Sequence, residues 1–440
     1  MEEYLKNVLE QIRCKKAHPY VEKELRDHLE DQIRDNISCG MEEAAAIDSA
    51  IRDMGDPIET GIMLDKVHRP QIAWKMVLLI GIISILGALI HILICRHANV
   101  DAAAYDGIVY SPISYIQYMF LGLLVMTVLY RIDYTFLARY AKVIAVLLIL
   151  LCALTLWIGP PINGAMYWIS IGGIFIPARS LMLLYVPVYG GILYKYYGKG
   201  YKELCFSIVW MILPVLFVFR MPALTTACIL FVSMLVMVTI ALIKGWFKVR
   251  KKAAIMTLWG IFGVLPIIGL ALLKVFFNNS GKTYYLTSAI RECVSNLKFV
   301  GSSGTDVAEK IGGINSDYLL TYLSSSYGLL AGIAICCIFA AIVFYIFGLS
   351  NKLKNQLGMM IGFGCGMILV VSLILNLLVN IGAIPPTATS LPFLSAGGGN
   401  IVVSYALIGI VLSVYKFKNV YPRHIRIDAK KKRKADIFNG

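Results

Sequence analysis

Charge is scarce in this sequence: Asp, Glu, Lys and Arg make up 15% of its 440 residues. Soluble domains are about 25% charged and 45–50% apolar. A chain that is 58% hydrophobic with a mean hydropathy of +0.73 is therefore not a water-soluble enzyme, a disordered chain or a disulfide scaffold. Acids are scarcest past the opening segment. The first 70 residues hold 16 of the 26 acids and 10 of the 41 bases, leaving 10 acids against 31 bases in the remainder. No Cys-x-x-Cys pair and no His/Cys metal spacing occurs, and a structural zinc site needs four converging ligands. The ten cysteines fall mostly in apolar runs and read as small hydrophobes. Cys293 alone stands in a long polar loop with no loop partner, so no disulfide framework is implied. The acidic, amphipathic start does not read as a signal peptide.

What the chain has in abundance is apolar runs long enough to cross a bilayer, which takes about 20 residues. Ten are expected, over 74–95, 112–130, 136–157, 180–197, 203–219, 222–243, 253–276, 322–348, 357–381 and 398–415. With the N-terminus inside, the inner loops carry Arg131, Arg139, Lys142, Lys195, Lys199, Lys202, Lys244, Lys248, Arg250, Lys251, Lys252, Lys352 and Lys354, and the tail adds a run from Lys430 to Lys434. The outer loops carry only Arg96, Arg179, Arg220, Lys274, Lys282, Arg291, Lys298 and Lys310. Positive charge gathers on the cytoplasmic side of membrane proteins. The expectation is thus an all-α, polytopic membrane protein with about ten transmembrane helices, both termini cytoplasmic. Its basic surplus suits lipid headgroups rather than nucleic acid. The divisions expected are a cytoplasmic helical domain over 1–70, a transmembrane domain over 71–418 and a basic tail over 419–440.

The opening segment has its own pattern. Leu5, Val8, Leu9 and Ile12 recur at helical spacing, as do Val21, Leu25, Leu29 and Ile33. Gly40 and Gly55 suit helix ends, and Asp56-Pro57 is an N-cap followed by proline at the first helical position. His18, His28 and His68 are lone polar-face residues, and nothing here reads as catalytic. The segment resembles the small helical prefix domain fused ahead of some bacterial permeases. Two roles are open for it: a solvated helical cap or a cytoplasmic docking module.

Three outer segments depart from span-like composition: 158–179, 278–321 and 382–400. The last has no charge and is rich in Gly and Pro. Such backbone is tolerated at membrane depth only when buried in protein or lining a cavity, so a re-entrant segment is expected. Its residues Pro385-Pro386-Thr387-Ala388-Thr389-Ser390-Leu391-Pro392-Phe393-Leu394-Ser395-Ala396-Gly397-Gly398 resemble the motif ahead of the last span in the SEDS family (shape, elongation, division and sporulation; FtsW/RodA/SpoVE). Asn163-Gly164-Ala165, Trp168-Ile169, Gly172 and Pro177 match an earlier family motif, and Asn315-Ser316-Asp317-Tyr318-Leu319-Leu320 with Gly328-Leu329 a third. The resemblance covers about residues 72–418.

The resemblance implies a bacterial membrane protein that handles lipid II, the polyprenyl-diphosphate-linked disaccharide precursor of peptidoglycan. It implies a peptidoglycan glycosyltransferase, usually paired with a class B penicillin-binding protein, in division, elongation or sporulation. Two alternatives stay open: a lipid II flippase, and a catalytically reduced scaffold that recruits a transpeptidase. Asp317 is the catalytic candidate. It is the one acid where the long outer loop meets the eighth span, and a carboxylate can take the proton of an attacking sugar hydroxyl. Equally, Asp317 could cap a helix beginning at Tyr318. Arg291, Lys298, Lys282 and Lys310 are candidates to bind the diphosphate, Arg291 foremost because a guanidinium grips phosphate bidentately. Ser395, Gly397 and Gly398 complete the candidate substrate site, the glycines through backbone amides or else through tight helix packing. No metal site is expected; a divalent cation, if used, would arrive with the diphosphate.

The departures are as informative. The family's Gln-Pro-Ser-Glu is Ile176-Pro177-Ala178-Arg179 here, exchanging an acid for a base, and a family lysine aligns with Met182. A second acidic motif becomes Met221-Pro222-Ala223-Leu224-Thr225-Thr226-Ala227. The histidine ahead of the aspartate is Asn315, and a Glu-Glu pair after it is Ser325-Ser326.

Overall fold

A computed structural model describes residues 1–97, 112–161, 166–171, 174–264, 267–268, 271–272, 281–305 and 307–425. Four short helices come first: α1 (Glu2–Gln11), α2 (His18–Ser38), α3 (Glu43–Asp53) and α4 (Pro57–His68). Their ends follow the residues. Gly40 takes a left-handed φ of 91° just past α2. The Asp56 carboxylate accepts from the Ile58 amide at 3.3 Å, with Pro57 opening α4. Tyr4, Leu5, Val8, Leu29 and Ala50 form a small core between these helices.

Eight helices among the described residues are long and apolar enough to cross a membrane. They are α5 (Trp74–His97), α6 (Pro112–Arg131), α8 (Ala141–Ile158), α11 (Tyr201–Arg220), α12 (Leu224–Ile243), α17 (Leu329–Asn351), α18 (Gln356–Asn380) and α19 (Gly398–Lys416). The short helices α7 (Thr135–Arg139), α9 (Ala178–Leu181), α10 (Tyr185–Lys195), α13 (Lys251–Leu258), α14 (Gly281–Ser295), α15 (Val307–Lys310) and α16 (Leu319–Tyr327) join them. The chain is an all-α, multi-pass membrane protein. Helices α18 and α19 are the most buried of the eight and form the centre of the bundle. Helices such as α6 keep apolar side chains outward, among them Ile113, Phe120 and Leu124.

The details differ from the expected spans in three places. The run expected over 180–197 is α9, a 3₁₀ turn at Met182–Leu184 and α10, whose residues Tyr185 to Tyr194 are all buried. The helical stretch is unbroken from Ala178 to Lys195, close to the length a span needs, and its second half is walled by other helices. The run expected over 253–276 begins as α13 with a π turn at Trp259–Gly263, and much of the rest lies outside the described residues. The eighth run, expected to be continuous over 322–348, breaks at Gly328. There φ is 100°, and a Cβ would stand 2.7 Å from the Val300 Cα and 2.8 Å from the Phe299 carbonyl oxygen. Gly328→Ala therefore meets both a disfavoured backbone conformation and rigid backbone neighbours, costing about 2–4 kcal/mol. A thermal-melting series on purified protein will show the loss.

The segment 158–179 carries a two-stranded antiparallel hairpin, β1 (Trp168–Ile171) with β2 (Ile174–Pro177), paired from Trp168↔Pro177 to Ile171↔Ile174. The expected long polar loop over 278–321 contains α14 and α15 rather than open chain.

The four opening helices dock where α6 ends and α19 ends. Lys16 donates to the Asp133 carboxylate at 2.7 Å, and the Tyr421 hydroxyl donates to the same group. The His68 ring Nδ1 lies 2.7 Å from the Asn419 carbonyl oxygen, and the Asn419 side chain donates to the Val67 carbonyl at 3.1 Å. Burial alone would raise the Asp133 carboxyl. Lys16, Tyr421 and the Thr135 amide outweigh it and hold the group below its ordinary value. The contact is thus formed at neutral pH and weakens as pH falls through that lowered value. Asp133→Ala strands Lys16 and Tyr421. We expect faster hydrogen exchange around residues 12–20, read by mass spectrometry, with the helices of the bundle unchanged.

Candidate functional site

The site lies at the end of α18 and the start of α19. Helix α19, with 19 residues, is about 28 Å long and separates it from the docked opening helices. Between α18 and α19 the chain runs without regular helix or strand from Ile381 to Gly397, and Leu391 to Ser395 are buried. Phe393 is fully buried at a positive φ of 64°, a conformation that surrounding structure must impose on a bulky residue. Two span residues impose it. The Tyr115 hydroxyl of α6 donates to the Phe393 carbonyl at 2.8 Å, and the His91 ring of α5 lies 2.6 Å from the Leu394 carbonyl oxygen.

This fixed segment grips the turn that holds Asp317. The Ser395 hydroxyl donates to the Ser316 carbonyl at 2.7 Å and accepts from the Leu391 amide at 2.7 Å. The Ala396 amide donates to the Asn315 carbonyl at 2.9 Å. From α18, the Asn376 and Asn380 amides donate to the Asp317 carbonyl at 3.2 and 3.0 Å. Asn380 in turn accepts from the Thr321 amide at 3.0 Å and hydroxyl at 2.7 Å, at the start of α16. Three successive carbonyls, at 315, 316 and 317, are each held. Such restraint is what a positioned reacting group needs.

The Asp317 side chain does not cap α16. That helix begins at Leu319, its N-cap is Tyr318, and no side chain caps it. Asp317 is half-buried, with protein packed densely around its carboxyl, outside the eight long apolar helices. Burial pushes the carboxyl up to about 7, and the positive charge of Arg179 draws it partly back. A carboxyl titrating near neutrality is suited to general-base work.

The other candidates divide. Arg291, on α14, spends its Nε–H on the Gly382 carbonyl at 3.0 Å, tying α14 to the segment after α18. Lys310 pairs with Glu292 at 2.7 Å. Lys298 is exposed, and its backbone carbonyl accepts from the Leu329 amide at 2.9 Å beside the break at Gly328. The side chain of Lys282 lies outside the described residues. Arg291 and Lys310 are therefore engaged with protein groups rather than gathered at Asp317. Ser395 is a positioning group whose hydroxyl is already committed. At Gly398 and Gly399 the packing alternative fits: a Cβ at Gly398 would lie 2.6 Å from the Tyr118 ring, and one at Gly399 would lie 2.5 Å from Pro177. Gly397 is less crowded, with Asn400 as its nearest neighbour at 3.4 Å.

Beside this turn is a polar cavity of about 30 Å³ between α9, α12, α18 and α19, lined by Arg179, Thr225, Thr226, Ser372, Ser390 and Asn400. It is linked to Asp317 through Asn376, which bonds both the Asp317 carbonyl and the Thr389 carbonyl next to Ser390. Two of its walls come from the segments that depart from the family's acidic motifs, at Arg179 and at Thr225 and Thr226 just after Ala223. At the position of the family lysine, Met182 is fully buried. Where the Glu-Glu pair would stand, the Ser325 hydroxyl bonds Ser303 at 2.5 Å and Thr305 at 3.0 Å and closes the loop over 301–305. The residues sequence reasoning missed, Asn376, Asn380, His91 and Tyr115, all position backbone.

Comparison with known proteins places the bundle as a whole. The "probable peptidoglycan glycosyltransferase FtsW" of Borreliella burgdorferi is 25% identical over 318 residues, covering 68% of this chain and 85% of that protein. The protein of the same name in Pseudomonas fluorescens is 21% identical over 393 residues, covering 83% and 91%. Among solved structures, a chain of a peptidoglycan synthase complex superposes with a TM-score of 0.62 at 20% identity, covering 78% of this chain and 97% of that one. The rod shape determining protein RodA of Thermus thermophilus superposes with a TM-score of 0.56 at 19% identity, covering 79% and 97%. A model of the FtsW/RodA/SpoVE family, described as "Cell cycle protein", matches residues 73–420. With the match spanning the whole bundle and the Asp317 turn within it, this chain belongs to the FtsW/RodA/SpoVE family.

Proposed function

We propose that the chain is a peptidoglycan glycosyltransferase that polymerises lipid II at the outer face of the bacterial membrane, with Asp317 as general base. The observation that carries the proposal is the Asp317 turn: a carboxyl near neutral pKa, held by three restrained carbonyls beside a polar cavity. In the reaction an acceptor sugar hydroxyl attacks the anomeric carbon of a second lipid-linked disaccharide. The hydroxyl proton passes to an Asp317 carboxylate oxygen. The bond from the anomeric carbon to the diphosphate oxygen breaks, and its electron pair leaves with the polyprenyl diphosphate. Asp317 is the lone carboxylate of this turn, a poor donor set for a protein-held divalent ion. An ion accompanying the diphosphate would travel with the substrate.

In this reading the termini and the four opening helices, residues 1–70, are cytoplasmic, and Asp317 faces outward. The excess of Lys and Arg at the end where those helices dock supports that orientation. A class B penicillin-binding protein is the proposed partner, supported by the likeness to a chain of a peptidoglycan synthase complex. The test is glycan-chain synthesis from lipid II by purified protein, comparing wild type with Asp317→Ala. Chains made by wild type and lost in the variant are the expected result. Equal synthesis by both removes Asp317 from the mechanism.

The second reading, a scaffold without turnover, draws on Arg291 and Lys310 being committed to protein partners. It predicts no product from wild type, with a transpeptidase still recruited in cells.

A further inference from the structure

We propose that Arg179 is the cation that grips the diphosphate of the polyprenyl-linked substrate in this chain, in place of the loop cations Arg291, Lys298 and Lys310. The inference rests on the glycosyltransferase reading for its substrate class, but its geometry stands separately. Arg179 follows directly on the β1–β2 hairpin, in α9, and its guanidinium lies over the Tyr167 ring at 4.7 Å. That ring is itself anchored, its hydroxyl donating to the Pro222 carbonyl at 3.3 Å. Stacking fixes the plane of the guanidinium while leaving its edge N–H groups for a ligand.

Arg179 makes no ion pair with any carboxylate among the described residues. A half-buried cation in this cavity, with Asp317 felt only at longer range and no carboxylate in ion-pair contact, is poised for an anion. The rest of the wall is consistent with that. Thr225, Thr226 and Ser372 bring hydroxyls. Asn400 is held by both neighbours, accepting from Ser180 and donating to Ser390, each at 2.6 Å. It stands in the first turn of α19, whose N-cap, Gly397, offers no side-chain acceptor to the amides there. The positive end of a buried 19-residue helix thus meets the same cavity as the guanidinium. At about 30 Å³ the cavity admits water rather than a whole diphosphate. Phosphate oxygens would be met at its mouth, where Arg179 remains partly exposed.

The same placement accounts for the charge reversal at this position. With the diphosphate held by Arg179, the negative charge that develops on its leaving oxygen is stabilised by a fixed cation. The two roles separate cleanly: Asp317 takes a proton, and Arg179 receives the leaving group.

The test measures binding, apart from turnover. Full-length protein in nanodiscs is titrated with a fluorescent polyprenyl diphosphate and with the matching monophosphate. Wild type is expected to prefer the diphosphate. Arg179→Gln is expected to weaken diphosphate binding by roughly 10- to 100-fold, the loss of a charge-assisted bidentate contact. Arg179→Lys, which keeps the charge, is expected to fall between, with a melting curve matching wild type to show that the fold is intact. Arg291→Gln is expected to leave the preference in place. Equal binding by wild type and Arg179→Gln, or a loss confined to Arg291→Gln, overturns the assignment. A wild type that makes no glycan yet binds diphosphate through Arg179 overturns the glycosyltransferase reading and leaves this one standing.

Discussion

Asp317→Asn will lower glycan synthesis by about 10²–10⁴-fold, the range contributed by a positioned general base, while leaving the protein folded. The substitution keeps the size of the side chain and removes only its capacity to take a proton. Wild-type activity has a matching signature in pH. The competent form is the carboxylate, and burial holds its pKa at about 7. The rate will therefore rise with pH below about 7 and level off above it, and in the Asn variant this limb will vanish. Stability runs the other way. An acid whose folded pKa lies near 7, against 3.8 for a freely exposed aspartate, binds its proton more tightly folded than unfolded. Between those values the native state loses stability as pH rises, because ionising the buried carboxyl costs free energy. Asn carries no such penalty, so at pH 8 Asp317→Asn will melt no lower than wild type. Activity traded against stability at one side chain is what a group kept for chemistry displays. A wild-type rate flat between about pH 5 and 8 is incompatible with this assignment.

How far the residues alone reach can be judged position by position. The caps of α2 and α4 were legible because Gly40 and Asp56-Pro57 act through local backbone physics. The irregular stretch after α18 was legible from its prolines and its lack of charge, since neither a span nor a soluble loop tolerates that composition. The break at Gly328 was hidden inside a continuous apolar run, where periodicity cannot register one left-handed residue. The hairpin had a signal in two short runs of β-branched and aromatic residues, Trp168-Ile169-Ser170-Ile171 and Ile174-Phe175-Ile176-Pro177, separated by a Gly-Gly pair. The loop cations were misleading for a different reason: charge and loop membership are sequence properties, but the partner of a cation is not. Arg291 turned out to bind a backbone carbonyl and Lys310 a neighbouring glutamate. Arg179, set aside as a departure from the family pattern, is the cation at the cavity. The two asparagines of α18 had a signal too. Polar side chains four residues apart in an otherwise apolar span are costly unless they hold something, and here they hold the Asp317 turn.

Asn380 gives the second large effect, through position rather than chemistry. Its amide group is fully used. The oxygen accepts from the Thr321 amide and hydroxyl, and the nitrogen donates to the carbonyls of Asp317 and Asn376. Asn380→Ala leaves the Thr321 amide without its acceptor and the Asp317 carbonyl with Asn376 alone, at a cost of about 2–4 kcal/mol for buried groups left unpaired. Asn380→Asp is the sharper variant. It keeps the shape and the acceptor for Thr321 but replaces the donor with an oxygen facing the Asp317 carbonyl oxygen. Repulsion between them will push the turn away, and a displacement of about 1 Å can cost 10²-fold in rate. A second carboxylate, placed where the Asn380 amide now lies 3.0 Å from the Asp317 carbonyl oxygen, will also raise the pKa of the Asp317 side chain further. The expected pattern is a fall in kcat with KM little changed, together with a pH limb moved to higher pH. A variant that were merely unfolded would lose both parameters and show no displaced limb. Unchanged kcat in Asn380→Asp with an unmoved limb would mean that the turn is held without Asn380, and that the carboxyl at 317 owes its placement to Asn376, Ser395 and Ala396.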